Sequence, residues 1–143
     1  MTDKLPNERL SYLLQRASFL VTREFLETLK LKDISVPRWR MMVWLPENQP
    51  CTITDLTEEL MLKQPSVTRL VEAARQEGIV QTVHDQRDRR RVNVTLTPAG
   101  TMLVEELKKS ARAADQNIIG GLGAEQAADV KKNLQQIIQH YGP

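Results

Sequence analysis

Two clusters of side chains in this chain are of the type and spacing that grip a polyanion. The first is the run His84-Asp-Gln-Arg-Asp-Arg-Arg-Arg91, in which Arg87, Arg89, Arg90 and Arg91 stand against Asp85 and Asp88 for a local charge of +2. Arginine suits phosphate because its guanidinium is always charged and is more weakly hydrated than an ammonium. Asp88 beside it can lock an arginine rotamer through a bidentate pair. The second cluster is Gln64-Pro-Ser-Val-Thr-Arg69. Gln64 and Arg69 carry the amide and guanidinium that read adenine and guanine edges, Ser66 and Thr68 reach phosphate or base, and Pro65 offers apolar contact to a thymine methyl. Taken alone, the first cluster reads as a solvated charged loop, whereas the second is suited to DNA and has an ordinary polar helix start with a surface arginine as its competing reading. Their value depends on the elements that carry them.

Apolar residues recur at steps of three and four from Leu10 to Leu29, the pattern of an amphipathic helix of about five turns. Pro37 suits the first turn of a second helix that carries Trp39, Met42, Val43 and Leu45 and stops at Pro46. Thr52 with Asp55 three residues on resembles a capping box and opens a third helix, with Ile53, Leu56 and Leu60 inward and an end near Met61. A fourth helix starts at once. Gln64 stands at its cap, Pro65 at its first position, Val67, Leu70, Val71 and Ala74 inward, and Gly78 closes it. Two helices joined by about three residues have the spacing of a helix-turn-helix, whose second helix presents its first turns to solvent.

Ile79–Val83 and Val92–Leu96 read as a hairpin, and the polar run 84–91 between them is too long for a two-residue turn and should project. The arginines thus sit on a hairpin tip directly after a helix-turn-helix, where a wing can lie along phosphates and insert a guanidinium into a minor groove. Thr97-Pro98 starts a helix of about 20 residues that Gly120-Gly121 interrupts, and a last helix follows Gly123. The order is α-α-α-α-β-β-α-α. A core around Trp39, Val43, Leu56, Leu60, Val67, Leu70 and Val71 closes the middle, which leaves the apolar stripes of the terminal helices for a second copy of the chain to cover.

Composition excludes much else. The 143 residues, 41% apolar, suit one integrated domain with a core, and 20 Lys+Arg against 18 Asp+Glu give +2. All of that excess lies in residues 84–91, because the other 135 residues hold 16 of each sign. The single Cys51 rules out an internal disulfide, fits a reducing cytosol and reads as a small apolar filler rather than a redox switch, while His84 and His140 are too far apart to suggest a metal site. Neither a run of about 18 apolar residues nor a leader after Met1-Thr-Asp-Lys-Leu-Pro6 is present, so a cytoplasmic chain with no membrane partner is expected. Nucleophile-base pairs, phosphate-cradling glycine loops and paired carboxylates are missing, so an enzyme is not expected and no cofactor is implied.

Gln64-Pro-Ser-Val-Thr-Arg-Leu-Val71, Glu77-Gly-Ile-Val80, Asp85-Gln-Arg-Asp-Arg-Arg90 and Val94-Thr-Leu-Thr-Pro-Ala-Gly100 together resemble the winged-helix core of the MarR/SlyA family of bacterial transcriptional regulators, over roughly residues 36 to 100. The resemblance implies a mainly α fold with a small β-hairpin wing (α+β). In it a winged helix-turn-helix at 37–97 is flanked by long dimerisation helices at 1–36 and 98–143. It implies a homodimer on double-stranded DNA, with recognition helices in successive major grooves of a pseudo-palindromic operator and wings in the minor grooves. Arg69 falls on the family's recognition-helix arginine, Arg89 and Arg90 on its wing-tip arginines, and Asp88 on the acid that braces them.

The resemblance further implies a repressor released by a small aromatic acid held between the dimerisation helices and the winged region, for which Tyr12, Arg16, Trp39, Arg40 and Met42 are the candidates. Two departures stand out. The family usually has glycine where this chain has Met61, which implies a differently built turn or an inward-packed methionine, and the first helix lacks the reactive cysteine of the peroxide sensors. The competing reading is a winged-helix module whose basic wing binds an acidic protein, a view that leaves the exposed Gln64, Pro65, Ser66 and Arg69 set without a purpose.

Overall fold

The computed structural model describes residues 9–142; the opening Met1–Pro6 stretch read above lies outside the described residues, as does Pro143. The elements run α1 (Leu10–Leu31), α2 (Val36–Asn48), β1 (Cys51–Thr52), α3 (Ile53–Leu60), α4 (Gln64–Gln76), β2 (Val80–His84), β3 (Val92–Leu96), α5 (Pro98–Leu122) and α6 (Ala124–Tyr141). The expected α+β winged fold is present, with one strand more than the sequence reading contained. Cys51 and Thr52 pair antiparallel with Val94 and Asn93, so the sheet has three strands in the order β1-β3-β2. Two residues are too short to leave an alternation to read.

The chain divides into two compact units, one made of Lys32–Lys109 and the other of Met1–Leu31 with Ser110–Gly142. In the first, Leu56, Leu60, Val67, Val71, Val80, Val94, Val104 and Leu107 close a core together with Met41, Met42 and Leu45. This corrects the expectation for α2. Trp39 is half-buried and Val43 is 37% exposed, because the helix turns Met41, Met42 and Leu45 inward instead. Leu70 and Ile53 are likewise only half-buried.

Local chemistry explains most element ends. Ser35 caps α2 by accepting the Arg38 N–H at 3.3 Å, and Thr52 and Asp55 form a full capping box on α3, with bonds of 3.1 and 2.9 Å. Thr97 opens α5. Its hydroxyl accepts from Gly100 N at 3.0 Å and faces the Gly78 and Ile79 carbonyls, tying the helix to the start of β2. Gly100 is required at that crossing, because a Cβ there would be driven into the Ile79 carbonyl.

Two expected helix breaks are not breaks. Pro46 lies inside α2, whose last turn is held by the Gln49 N–H on the Leu45 carbonyl and the Asn48 amide on that of Trp44, each at 2.8 Å. Near a C-terminus the missing proline donor costs one bond that neighbours offset. Gly120 and Gly121 continue α5, and the break falls at Gly123 with φ 88°.

In the second unit, α6 has no buried residue, and an open groove of 630 Å³ runs along α5 and α6, lined by Ile118, Ile119, Val130, Leu134 and Ile138 with Asp115 and Lys131. No helix among the described residues is long and apolar enough to cross a membrane.

Candidate nucleic-acid interface

The candidate residues sit on the α3–α4 pair and the β2–β3 tip, both within the Lys32–Lys109 unit. Met61 ends α3 in the left-handed conformation at φ 53° and is 77% exposed, so it keeps the backbone that glycine would supply and does not pack inward. The cap of α4 is Lys63, one residue before the expected Gln64; its carbonyl accepts from Ser66 N at 3.0 Å and Val67 N at 3.2 Å. A lysine side chain has no acceptor, so α4 has no side-chain cap, and its first turn has no acid. The positive end of the helix dipole is therefore left unneutralised.

Val67, Val71 and Ala74 point inward while Gln64, Pro65, Thr68 and Arg69 are exposed and Ser66 is half-buried. Period 3.6 thus separates a core face from a polar face within two turns.

The wing is a hydrogen-bonded loop rather than a slack one. Asp85 N–H donates to the Arg91 carbonyl at 2.9 Å and Arg91 N–H to that of Asp88 at 3.0 Å. Asp85 accepts from Arg87 N at 2.8 Å, and Asp88 from Arg90 N at 3.0 Å. Asp88 therefore builds the turn through the backbone, where a guanidinium brace was expected; an Asp carboxylate faces the N–H two residues on more readily than a long side chain beyond it. His84 Nδ1 lies 3.0 Å from the Arg89 carbonyl and joins the end of β2 to the tip. Arg87, Arg89, Arg90 and Arg91 are all exposed, and among the described residues neither they nor Arg69 make an ion pair. Five cations are thus held on one unit with their charge unspent.

The five effector candidates are divided between the units. Tyr12, half-buried, and Arg16, exposed, lie on α1 of one; Trp39, Arg40 and Met42 lie on α2 of the other. Met42 is fully buried in the core, and Arg40 donates to the Leu60 and Glu59 carbonyls at 3.2 and 3.0 Å. Cys51 is buried, and burial with the nearby Asp55 carboxylate pushes its thiol up to about 11, which disfavours the reactive thiolate. Among the described residues no three His, Cys, Asp or Glu side chains gather where they could hold a metal.

Arg38 escaped the sequence reading. It is the one buried charged residue among those described, paired with the Glu77 carboxylate, whose pKa the guanidinium hydrogen bond holds below the usual carboxylate range. A signal existed. A cation in the first turn of a helix opposes the dipole, so it calls for an acid from elsewhere in the fold.

Comparison with known proteins places the geometry. Residues 34–92 match the MarR family. The chain is 31% identical to the MarR family transcriptional regulator SPO1453 from Silicibacter pomeroyi, covering 93% of this chain and 95% of that one with a TM-score of 0.80. It is 27% identical to Bordetella bronchiseptica BpsR, whose DNA binding is regulated by 6-hydroxynicotinic acid, over 91% of this chain and 93% of that one with a TM-score of 0.78. It is also 26% identical to the transcriptional repressor IacR of Pseudomonas putida, over 90% of this chain and 77% of that protein. With its winged helix-turn-helix and these relatives, the chain belongs to the MarR family and is a transcriptional regulator.

Proposed function

We propose that the chain acts as a homodimeric repressor that binds a pseudo-palindromic double-stranded operator and leaves it when a small aromatic acid binds. The observation that carries DNA readout is the pairing, on one compact unit, of an α4 start exposing Gln64, Pro65, Thr68 and Arg69 with a hydrogen-bonded wing whose arginines make no ion pair. Unpaired guanidiniums are costly neighbours for one another and gain most from phosphate. Recognition would run through Gln64, Pro65, Ser66, Thr68 and Arg69, and the wing contact through Arg87, Arg89 and Arg90, with Asp88 shaping the loop.

The dimer is supported by the apolar groove along α5 and α6, and by α1 and α6 carrying apolar residues that their own chain leaves exposed. Repression and an aromatic acid effector rest on IacR and BpsR. Of the residues expected to contact that acid, Met42 and Arg40 are occupied in the core and on α3.

Selection of bound fragments from a random duplex pool tests the reading. Two half-sites about one helical turn apart are expected, with log affinity falling linearly against log salt. Arg69→Ala should cost about 1 to 3 kcal/mol at one operator position. Unchanged binding by Arg90→Ala would remove the wing from the interface, and release by none of a panel of hydroxylated aromatic acids would remove the effector.

A further inference from the structure

DNA contact leaves two arginines of α2 to be explained. Arg40 extends its guanidinium fork to the carbonyls of Glu59, at 3.0 Å, and Leu60, at 3.2 Å. These belong to the last turn of α3, where carbonyls lack intrahelical partners and a cation is favoured. Arg38, two residues earlier, donates Nη2 to Glu77, the residue that caps the C-terminus of α4. Its side chain is 9% exposed against 58% for Glu77, and its Nε is buried without a partner. A buried cation with an incomplete set of acceptors is a poor source of stability, since an apolar side chain of similar volume does as well or better. Stability alone does not account for its presence there.

The turn beside the Arg40 contact is held by long bonds. Met61 N–H reaches the Glu58 carbonyl at 3.3 Å and Leu62 N–H that of Thr57 at 3.4 Å, both long for a backbone bond, and α4 has no side-chain cap at its start. The crossing of α3 and α4 is therefore not fixed by the turn.

We infer that Arg38 and Arg40 are positioning residues for DNA recognition: from one turn of α2 they grip the C-terminal ends of α4 and α3 and so set the angle at which the recognition helix is presented. The inference rests on the DNA-binding reading above. Neither residue touches DNA in it. Their effect falls on base readout, which depends on angles and distances, and spares phosphate attraction, which depends on charge.

The test uses the full chain, the operator that the wild type selects from a random duplex pool, and a random duplex of equal length. Glu77→Gln removes the acid partner at an exposed position, and Arg40→Lys keeps the charge but loses the planar fork that sets one N–H on each carbonyl. With circular dichroism unchanged, each variant should lose roughly fivefold in operator affinity, the low end for one bidentate base contact. Random-duplex affinity should stay within about twofold and the salt slope should not change. Glu77→Asp, which keeps the carboxylate, should recover part of the loss.

An unchanged ratio of operator to random affinity in folded variants would overturn the inference and leave the arginines as packing. An equal loss on both duplexes would overturn it differently, making Arg40 a phosphate contact whose geometry lysine does not reproduce. A wild type that enriches no duplex would overturn the DNA-binding reading itself, before any variant is measured.

Discussion

The two units of this chain bury their apolar residues to very different degrees. In the Lys32–Lys109 unit, four helices and a three-stranded sheet close over side chains such as Leu56, Val67 and Val94, none of which has any exposure. In the other unit, α6 buries nothing, Ile138 is 68% exposed and Phe19 on α1 is 62% exposed. The first unit holds the candidate α4 and wing surface still by means of its own core, caps and turns. The second carries a surface whose apolar character has no use inside one chain, so its stability should depend on association.

The largest effect that tests this contrast is expected in the closed core. Leu56→Ala removes a fully buried side chain between α3 and its neighbours and should cost about 2 to 5 kcal/mol of unfolding free energy, the same at every protein concentration. Chemical denaturation at two concentrations checks it. The matching change in the other unit is Leu134→Asp with Ile138→Asp, on the groove face of α6. In an isolated chain such exposed positions tolerate substitution within about 0.5 kcal/mol. If a second copy covers them, sedimentation should show monomers where the parent sediments as a dimer, and the melting temperature should lose its dependence on concentration. A double variant that sediments like the parent would place the dimer contacts elsewhere.

Gly100→Ala probes how tightly the closed unit is built. One methyl group aimed at the Ile79 carbonyl must push α5 from the start of β2, at an expected cost of about 1 to 3 kcal/mol read as a lower melting temperature. The same change at Gly120, where a Cβ meets nothing within 4 Å, should stabilise α5 by up to about 1 kcal/mol. Opposite signs at two glycines of one helix would separate a packed crossing from an open face.

Much of the winged unit was legible because its signals are local. Thr52 and Asp55 announced a cap, Val92 to Leu96 alternated, and the helix-turn-helix followed from the short span between Leu60 and Gln64. What was not legible depended on tertiary context. Nothing in Cys51-Thr52 marks a strand, which exists because β3 offers it an edge. Trp39 and Met41 are equally apolar, and only the rotation of α2 decides which is inside. Pro46 and Gly120-Gly121 are breakers whose cost a surrounding helix absorbs. Arg38 was missed because its partner Glu77 lies 39 residues away, beyond any spacing rule. In the candidate site, the arginines were readable by type, whereas the turn-building role of Asp88 depended on a bond to its own backbone.

Met61→Gly sharpens the comparison at the turn itself. A side chain at φ 53° pays roughly 1 to 2 kcal/mol for the left-handed conformation, and glycine recovers part of it while loosening the unfolded chain. The expected net gain is about 1 kcal/mol. Since Met61 is exposed, no packing is lost to offset it.

The smallest effect is electrostatic and concerns the Arg38–Glu77 pair. Glu77 has its folded pKa lowered below the ordinary 4.5, chiefly by the Arg38 hydrogen bond, so ionised Glu77 stabilises the fold above that unfolded value. As pH falls through the folded pKa, the carboxylate protonates and the contribution disappears. Wild type should therefore melt above Glu77→Gln at pH 7, and the gap should close as the solution is acidified below pH 4.5. Because Glu77 is more than half exposed, solvent screening keeps the gap small. A gap that persists in acid would mean that the amide disturbs packing around Arg38 rather than removing its counter-charge.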